Sequence, residues 1–139
     1  MWAVYFNVGA ERASKQIARA RDPGQLGRSG YTYLHILIVA GIIVSAVADE
    51  LVLSHPLGHT ELKTLLVIVG APALYLLGTA LFKSLTAPNL PLSHLIGLGL
   101  LALVASAGMT ASPLVLSAGT SASLIVVAVW EWASLKRRR

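Results

Sequence analysis

Residues Tyr31–Leu53 read YTYLHILIVAGIIVSAVADELVL, an apolar run in which Asp49 and Glu50, near its end, are the only Asp, Glu, Lys or Arg residues. As a helix this run is ~34 Å long. That length exceeds the ~30 Å hydrocarbon core of a bilayer, so the helix can cross a membrane with some tilt. Pro56 and Gly58 follow soon after and disfavour its continuation. The run therefore predicts a membrane-spanning helix.

Three further apolar runs predict three further spans. The fold class predicted is therefore all-α, a polytopic transmembrane bundle of about four helices within residues 31–132. The predicted spans are residues 31–53, 64–82, 92–109 and 113–132. Pro72 lies inside the second span, and because proline removes a backbone donor we expect a kink there.

The two ends of the chain are too short or too polar to cross. Met1–Ala10 reaches only ~15 Å as a helix, half of a bilayer core. We expect residues 1–30 to form a partial or interfacial helix followed by a basic segment. Residues 133–139 are expected to form a basic tail.

Composition excludes most soluble classes. Only 12% of the residues are charged and 55% are hydrophobic, whereas about a quarter of an average soluble domain is charged. The net charge of +5 could indicate nucleic-acid binding. However, the basic residues flank apolar segments, where membrane topology alone places them. We therefore predict the lipid bilayer as partner and no nucleic acid. The chain has no cysteine, which excludes disulfides and thiolate chemistry.

The basic residues predict an orientation. With four spans, one side of the membrane carries Lys63 alone. The other side carries ten basic residues: Arg12, Lys15, Arg19, Arg21, Arg28, Lys83, Lys136, Arg137, Arg138 and Arg139. Because positive charge accumulates in cytoplasmic loops, we expect both termini in the cytoplasm.

Small residues recur within the spans and suggest helix-packing positions. Helices in lipid associate through close packing rather than apolar burial, which favours glycine at their contacts. The candidates are Gly41, Gly70, Gly78 and Gly97. Glycine is also common in membrane helices generally, so both interpretations stay open.

Ionisable and hydroxyl side chains within the spans give a candidate polar seam. Charges at membrane depth are costly, so they are the first place to look for function. The seam consists of Tyr31, His35, Asp49, Glu50 and Tyr75. It could form a vestibule for an ion or solute. Alternatively, these residues are solvated helix ends and an ordinary interhelical hydrogen bond.

No catalytic, cofactor or metal site is predicted. His55 and His59 have the spacing of a zinc-binding pair on a helix. Pro56 and Gly58 lie between them and disfavour a helix there, so the two histidines are not expected to share a helical face. Glu131 is interpreted as an interfacial carboxylate near the basic tail. Nothing in the sequence supports an enzyme.

Several blocks resemble one known family. The first is YTYLHILIVAGIIVSAVADELVLSHP, the second is GAPALYLLGTALFK at Gly70–Lys83, and the opening WAVYF followed by AER also fits. These blocks are similar to the bacterial low temperature requirement A proteins, which are polytopic membrane proteins of unestablished biochemical activity. The resemblance implies the bacterial cytoplasmic membrane, a link to growth in the cold, and a chain matching the C-terminal portion of longer members. It supplies no functional residue.

Two principal functional hypotheses follow. In the first, the polar seam on the first span handles a small solute, ion or lipid. In the second, the chain is a non-catalytic interaction module, or a fragment that needs partner helices from itself or a companion chain. A lipid-modifying enzyme is a third and weaker hypothesis, because no catalytic cluster is recognisable.

Overall fold

The computed structural model describes Met1, Gly24, residues 32–86 and residues 91–136. Within these residues the chain forms four helices and no strand. The helices are α1 (Leu34–Ser54), α2 (Leu62–Thr86), α3 (Leu92–Ser106) and α4 (Pro113–Lys136). The predicted all-helical bundle is therefore confirmed. Tyr31, nearly all of the N-terminal segment, residues 87–90 and the last three residues lie outside the described part.

The helices α1, α2 and α4 are long and apolar enough to cross a membrane, whereas α3 is a shorter apolar helix. At 15 residues, α3 is ~22 Å long. It ends before Met109 because the backbone N–H groups of Gly108 and Thr110 bond carbonyls three residues back, at 3.0 and 3.3 Å. This tightening turns the chain toward α4.

The helix α2 is longer than its predicted span at both ends. It includes Lys63 in its first turn and Lys83 near its last, and it continues on both sides of Pro72. Lysine can lie in the end turns of an apolar helix because its long side chain carries the charge toward polar surroundings. For the same reason α4 continues past Trp132 to Lys136.

Hydrogen bonds between loops fix the topology. Thr60 Oγ1 donates to the Ala111 carbonyl at 2.6 Å, and Leu114 N–H donates to the Pro56 carbonyl at 3.1 Å. The α1–α2 and α3–α4 links therefore lie at one end of the bundle, here called the outer end. The last turns of α2 and α4 and the first turn of α3 form the opposite, inner end.

The helix α2 is the centre of the bundle and packs against α1, α3 and α4. Its contact with α1 depends on two glycines. A Cβ added at Gly41 lies 2.7 Å from the Tyr75 backbone nitrogen, and one added at Gly78 lies 2.9 Å from the Ile38 side chain. Both distances are shorter than real Cβ contacts, so any side chain at either position pushes the helices apart.

Buried apolar side chains form two layers along the bundle. The layer nearer the inner end contains Ile38, Tyr75, Leu76, Phe82, Leu101 and Val127. The layer nearer the outer end contains Ala48, Val52, Leu65, Ile68 and Leu116. Many large apolar side chains point outward, including Ile43, Leu103 and Ile125. An apolar outer surface of this kind is what a lipid-facing bundle requires.

Candidate functional site

The four seam residues that the structure describes, all except Tyr31, do not gather in one place. His35 is half-buried and meets Phe82 edge-on, with ring centroids 5.2 Å apart. Tyr75 is buried, and its hydroxyl donates to the Met1 carbonyl at 2.5 Å. Asp49 and Glu50 are exposed near the other end of α1. The seam as a functional unit stays a prediction, with its histidine and its carboxylates at opposite ends of one helix.

Three of the four predicted packing glycines lie at close helix contacts. Gly41 and Gly78 lie between α1 and α2, as described above. A Cβ at Gly97 would lie 2.5 Å from the Val127 side chain, where α3 meets α4. Gly70 differs, because a Cβ there would meet nothing within 4 Å.

A group of polar side chains lies buried at the inner end, where three helices meet. We call Lys83, Ser93, His94 and Glu131 the inner cluster. Lys83 comes from the end of α2, Ser93 and His94 from the first turn of α3, and Glu131 from the end of α4. They converge because antiparallel neighbours bring the end of one helix to the start of the next.

The inner cluster is bonded around one carboxylate oxygen. Lys83 Nζ lies 2.5 Å from Glu131 Oε1, Ser93 Oγ donates to the same oxygen at 3.0 Å, and His94 Nδ1 lies 3.3 Å from it. The His94 side chain is completely buried, while those of Glu131 and Lys83 are 10% and 17% exposed. This is a desolvated ion pair with two neutral polar neighbours.

Two polar atoms of the inner cluster have no partner among the described residues. They are Glu131 Oε2 and His94 Nε2, and both are buried. A buried polar atom without a hydrogen bond costs ~1–3 kcal/mol, so such atoms are uncommon. The other polar atoms of these two side chains, Glu131 Oε1 and His94 Nδ1, lie 3.3 Å apart. The arrangement therefore leaves a carboxylate oxygen and an imidazole nitrogen available to a ligand.

The hydrogen bonds also determine which nitrogen of His94 carries its proton. Nδ1 faces a carboxylate oxygen at 3.3 Å and the Ser93 hydroxyl at 3.1 Å. Because the single hydroxyl proton of Ser93 is donated to Glu131, Ser93 Oγ accepts from Nδ1–H. Neutral His94 then carries its proton on Nδ1, and its Nε2 has a free lone pair.

Glu131, expected to be an interfacial carboxylate near the basic tail, is paired with Lys83. Lys136 lies over the Trp132 ring, 5.4 Å from its centroid. No functional role was predicted for Ser93 or His94 from the sequence. The available signal was a histidine following Pro91 in an apolar run. The carboxylate that Ser93 and His94 share, Glu131, is 38 and 37 residues away in α4, so only the packing of helices reveals it.

The titratable residues of the outer end are exposed and, within the part of the chain that the structure describes, form no comparable group. His55 and His59 are exposed, and no cluster of three or more potential metal-binding side chains occurs among the described residues. Glu61 and Lys63 form a surface ion pair at 2.8 Å. The Lys63 ammonium, by hydrogen bond and charge, holds the pKa of the Glu61 carboxyl below its usual value.

Comparisons with known proteins give a family but no activity. The family model for bacterial low temperature requirement A protein matches residues 1–129. An uncharacterized protein of Rhizobium meliloti (strain 1021) is 36% identical over 139 residues, which is all of this chain and 34% of that relative. The chain thus spans about a third of the length of that curated relative. No solved structure matches the chain.

Proposed function

Because the chain belongs to the bacterial low temperature requirement A family, we propose that it is a multi-pass protein of the bacterial cytoplasmic membrane that handles a small ion. The site of this activity is the inner cluster. The seam residue His35 lies at the same end of the bundle, beside Phe82. Asp49 and Glu50, exposed near the outer end, are candidates for the opposite mouth.

The orientation proposed places both termini and the inner cluster on the cytoplasmic side. Its support is the ten-to-one distribution of basic residues described above. Trp130 and Trp132 flank Glu131 and are both exposed, as expected for an aromatic belt at a membrane interface. The inner cluster then lies just below the cytoplasmic surface, within reach of water through the partly exposed Lys83 side chain.

The observation that carries the proposal is the buried Lys83–Glu131 pair with the open atoms of Glu131 and His94. Ionisable side chains inside a membrane bundle are costly and mark ion or substrate pathways. A structural ion pair alone needs no histidine and no open acceptor atom. This cluster has both, at the meeting point of three helices.

The test is ionic flux through the purified chain in liposomes, with K⁺, Na⁺, Cl⁻ and H⁺ as probes. We expect Glu131→Gln to lower the flux of the transported ion about tenfold or more, because losing a charged hydrogen bond raises a barrier by about 1.5–3 kcal/mol. Ser84→Ala is the matched control, since Ser84 neighbours Lys83 in α2 but is exposed and bonds only its own helix backbone. Absence of flux for all four probes overturns the proposal.

A second candidate function is that of an interaction module that needs companion helices. The burial of α1 favours it. Only 22% of the apolar stretch of α1 is buried inside the bundle, whereas 56% of the apolar stretch of α2 is buried. The open face of α1 could bind a second copy or further helices of the family architecture, of which this chain covers a third. A monodisperse and stable monomer in detergent contradicts this alternative.

A further inference from the structure

We propose that the inner cluster is a proton-binding site, in which a proton on His94 and the ammonium of Lys83 are alternative partners for the Glu131 carboxylate. The inference rests on the proposed function for its location and names the ion, a proton, that the site takes. It requires that His94 be able to accept a proton, that Glu131 be able to stabilise it, and that Lys83 be able to leave.

His94 can accept a proton at one defined atom. Its Nδ1–H is committed to Ser93 and Glu131, at 3.1 and 3.3 Å. Its Nε2 has a lone pair and no partner among the described residues. A proton delivered from water therefore binds at Nε2 and produces an imidazolium, with no bond in the cluster broken to make room for it.

Glu131 can stabilise that imidazolium. Its Oε1 already lies 3.3 Å from Nδ1, so protonation turns this contact into a charge-assisted hydrogen bond. Its second oxygen, Oε2, has no donor and is available to one that enters with the proton. The carboxylate thus serves as the counter-ion for either of two cations.

Lys83 can leave, whereas His94 cannot. A buried site holding Glu131, Lys83 and a protonated His94 has one positive charge in excess, which burial disfavours. The His94 side chain is completely buried, but Lys83 is 17% exposed and three residues from the end of α2. Its long side chain can carry the ammonium into the polar interface. Proton uptake and release of Lys83 together keep the buried charge at zero.

The charged and titratable neighbours of the site come from all four helices. Lys83 comes from α2, His94 from α3 and Glu131 from α4. From α1, His35 packs against Phe82, the residue before Lys83. Lys136 in α4 lies over Trp132 and holds its charge above that ring. Of these groups, His94 and Lys83 are the two cations or potential cations that contact the Glu131 carboxylate in the described part of the chain.

The experiment is a pH titration of the full chain in detergent micelles, labelled with ¹³C at its histidine rings and followed by NMR. His94→Gln identifies the His94 signal by its loss. We expect Lys83→Met to move the His94 midpoint to higher pH by about one unit or more, because a competing cation is removed and the carboxylate remains.

Two further variants separate this inference from a purely structural role. Lys83→Arg keeps the cation and is expected to leave the His94 midpoint near that of the unmodified chain. Glu131→Gln, added to Lys83→Met, is expected to cancel the upward shift. If Lys83→Met fails to fold, Lys83→Gln replaces it. A His94 midpoint that Lys83→Met does not raise overturns the inference, even where ionic flux is observed. Absence of flux alone overturns the proposed function and leaves this titration standing.

Discussion

At Gly41, a missing side chain determines how closely two helices approach. The Tyr75 backbone nitrogen and Cα lie 2.7 and 2.9 Å from the position of an added Cβ. These are main-chain atoms of α2, so they cannot rotate away as a flexible side chain could. The Ser45 hydroxyl donates a hydrogen bond to the Gly41 carbonyl at 2.8 Å, so this hydroxyl has its partner within α1. Gly41 is therefore a requirement of the α1–α2 interface.

Gly41→Ala is expected to destabilise the bundle by about 1–3 kcal/mol, the usual cost of overpacking a tight contact. Gly70→Ala is the control at a helix-interior glycine of α2, since an added Cβ there meets nothing within 4 Å. Its effect is expected to be neutral or stabilising by up to about 1 kcal/mol, from helix propensity. Loss of helical circular dichroism during SDS titration measures both. Equal stability of the two variants contradicts the packing described here.

At the scale of single residues, the sequence predicted packing positions better than polar partners. Glycines within apolar helices are visible in the sequence, and three of the four named have close helix contacts. The partners of Glu131 were not predictable in the same way. Lys83 is 48 residues away and His94 is 37 residues away in sequence, and only the antiparallel arrangement of α2, α3 and α4 brings them together.

At the scale of helices, the Lys83–Glu131 pair connects α2 with α4 at the inner end. Removing one partner from a buried pair leaves an uncompensated charge, which costs ~3–5 kcal/mol when burial is complete. Lys83 is 17% exposed and can move toward water. For Glu131→Gln we therefore expect a loss of stability toward the lower end of that range.

A double-mutant cycle of Lys83→Met and Glu131→Gln measures this connection directly. The double variant is expected to be more stable than the sum of the single effects predicts, with a coupling of about 1–3 kcal/mol. The Glu61–Lys63 pair is the control, because its N–O distance is similar at 2.8 Å but both side chains are mostly exposed. We expect no measurable coupling there. Additive effects at Lys83 and Glu131 contradict a buried pair.

Helix number and order were predictable from the sequence, and helix ends were less so. Apolar runs separated by Pro and Gly identify each helix, as at Pro56 and Gly58 before α2. The ends depend on tertiary contacts. The chain leaves α3 at Ser106, and Gly108 then packs against the Leu65 side chain of α2, whose Cδ1 lies only 2.2 Å from the position of an added Cβ. The pattern of apolar residues in the sequence does not predict that contact.

At the scale of the whole molecule, the arrangement proposed relative to the membrane rests on the apolar surface and the charge distribution. Apolar side chains cover the outside of the bundle, and the polar inner cluster is enclosed at one end. The outer links are held together by the Thr60–Ala111 and Leu114–Pro56 hydrogen bonds, so they must lie on the same side. An inner cluster beneath the cytoplasmic surface is the central claim of this account.

Single-cysteine labelling with a membrane-impermeant maleimide tests that claim most directly, because the chain has no cysteine of its own. Cysteines introduced at Gly58, Thr110 and Lys136 are all at exposed positions. In intact bacterial spheroplasts we expect labelling at Gly58 and Thr110, and labelling at Lys136 only after the membrane is opened. Labelling at Lys136 in intact spheroplasts, or at only one of the two outer positions, contradicts the arrangement proposed here.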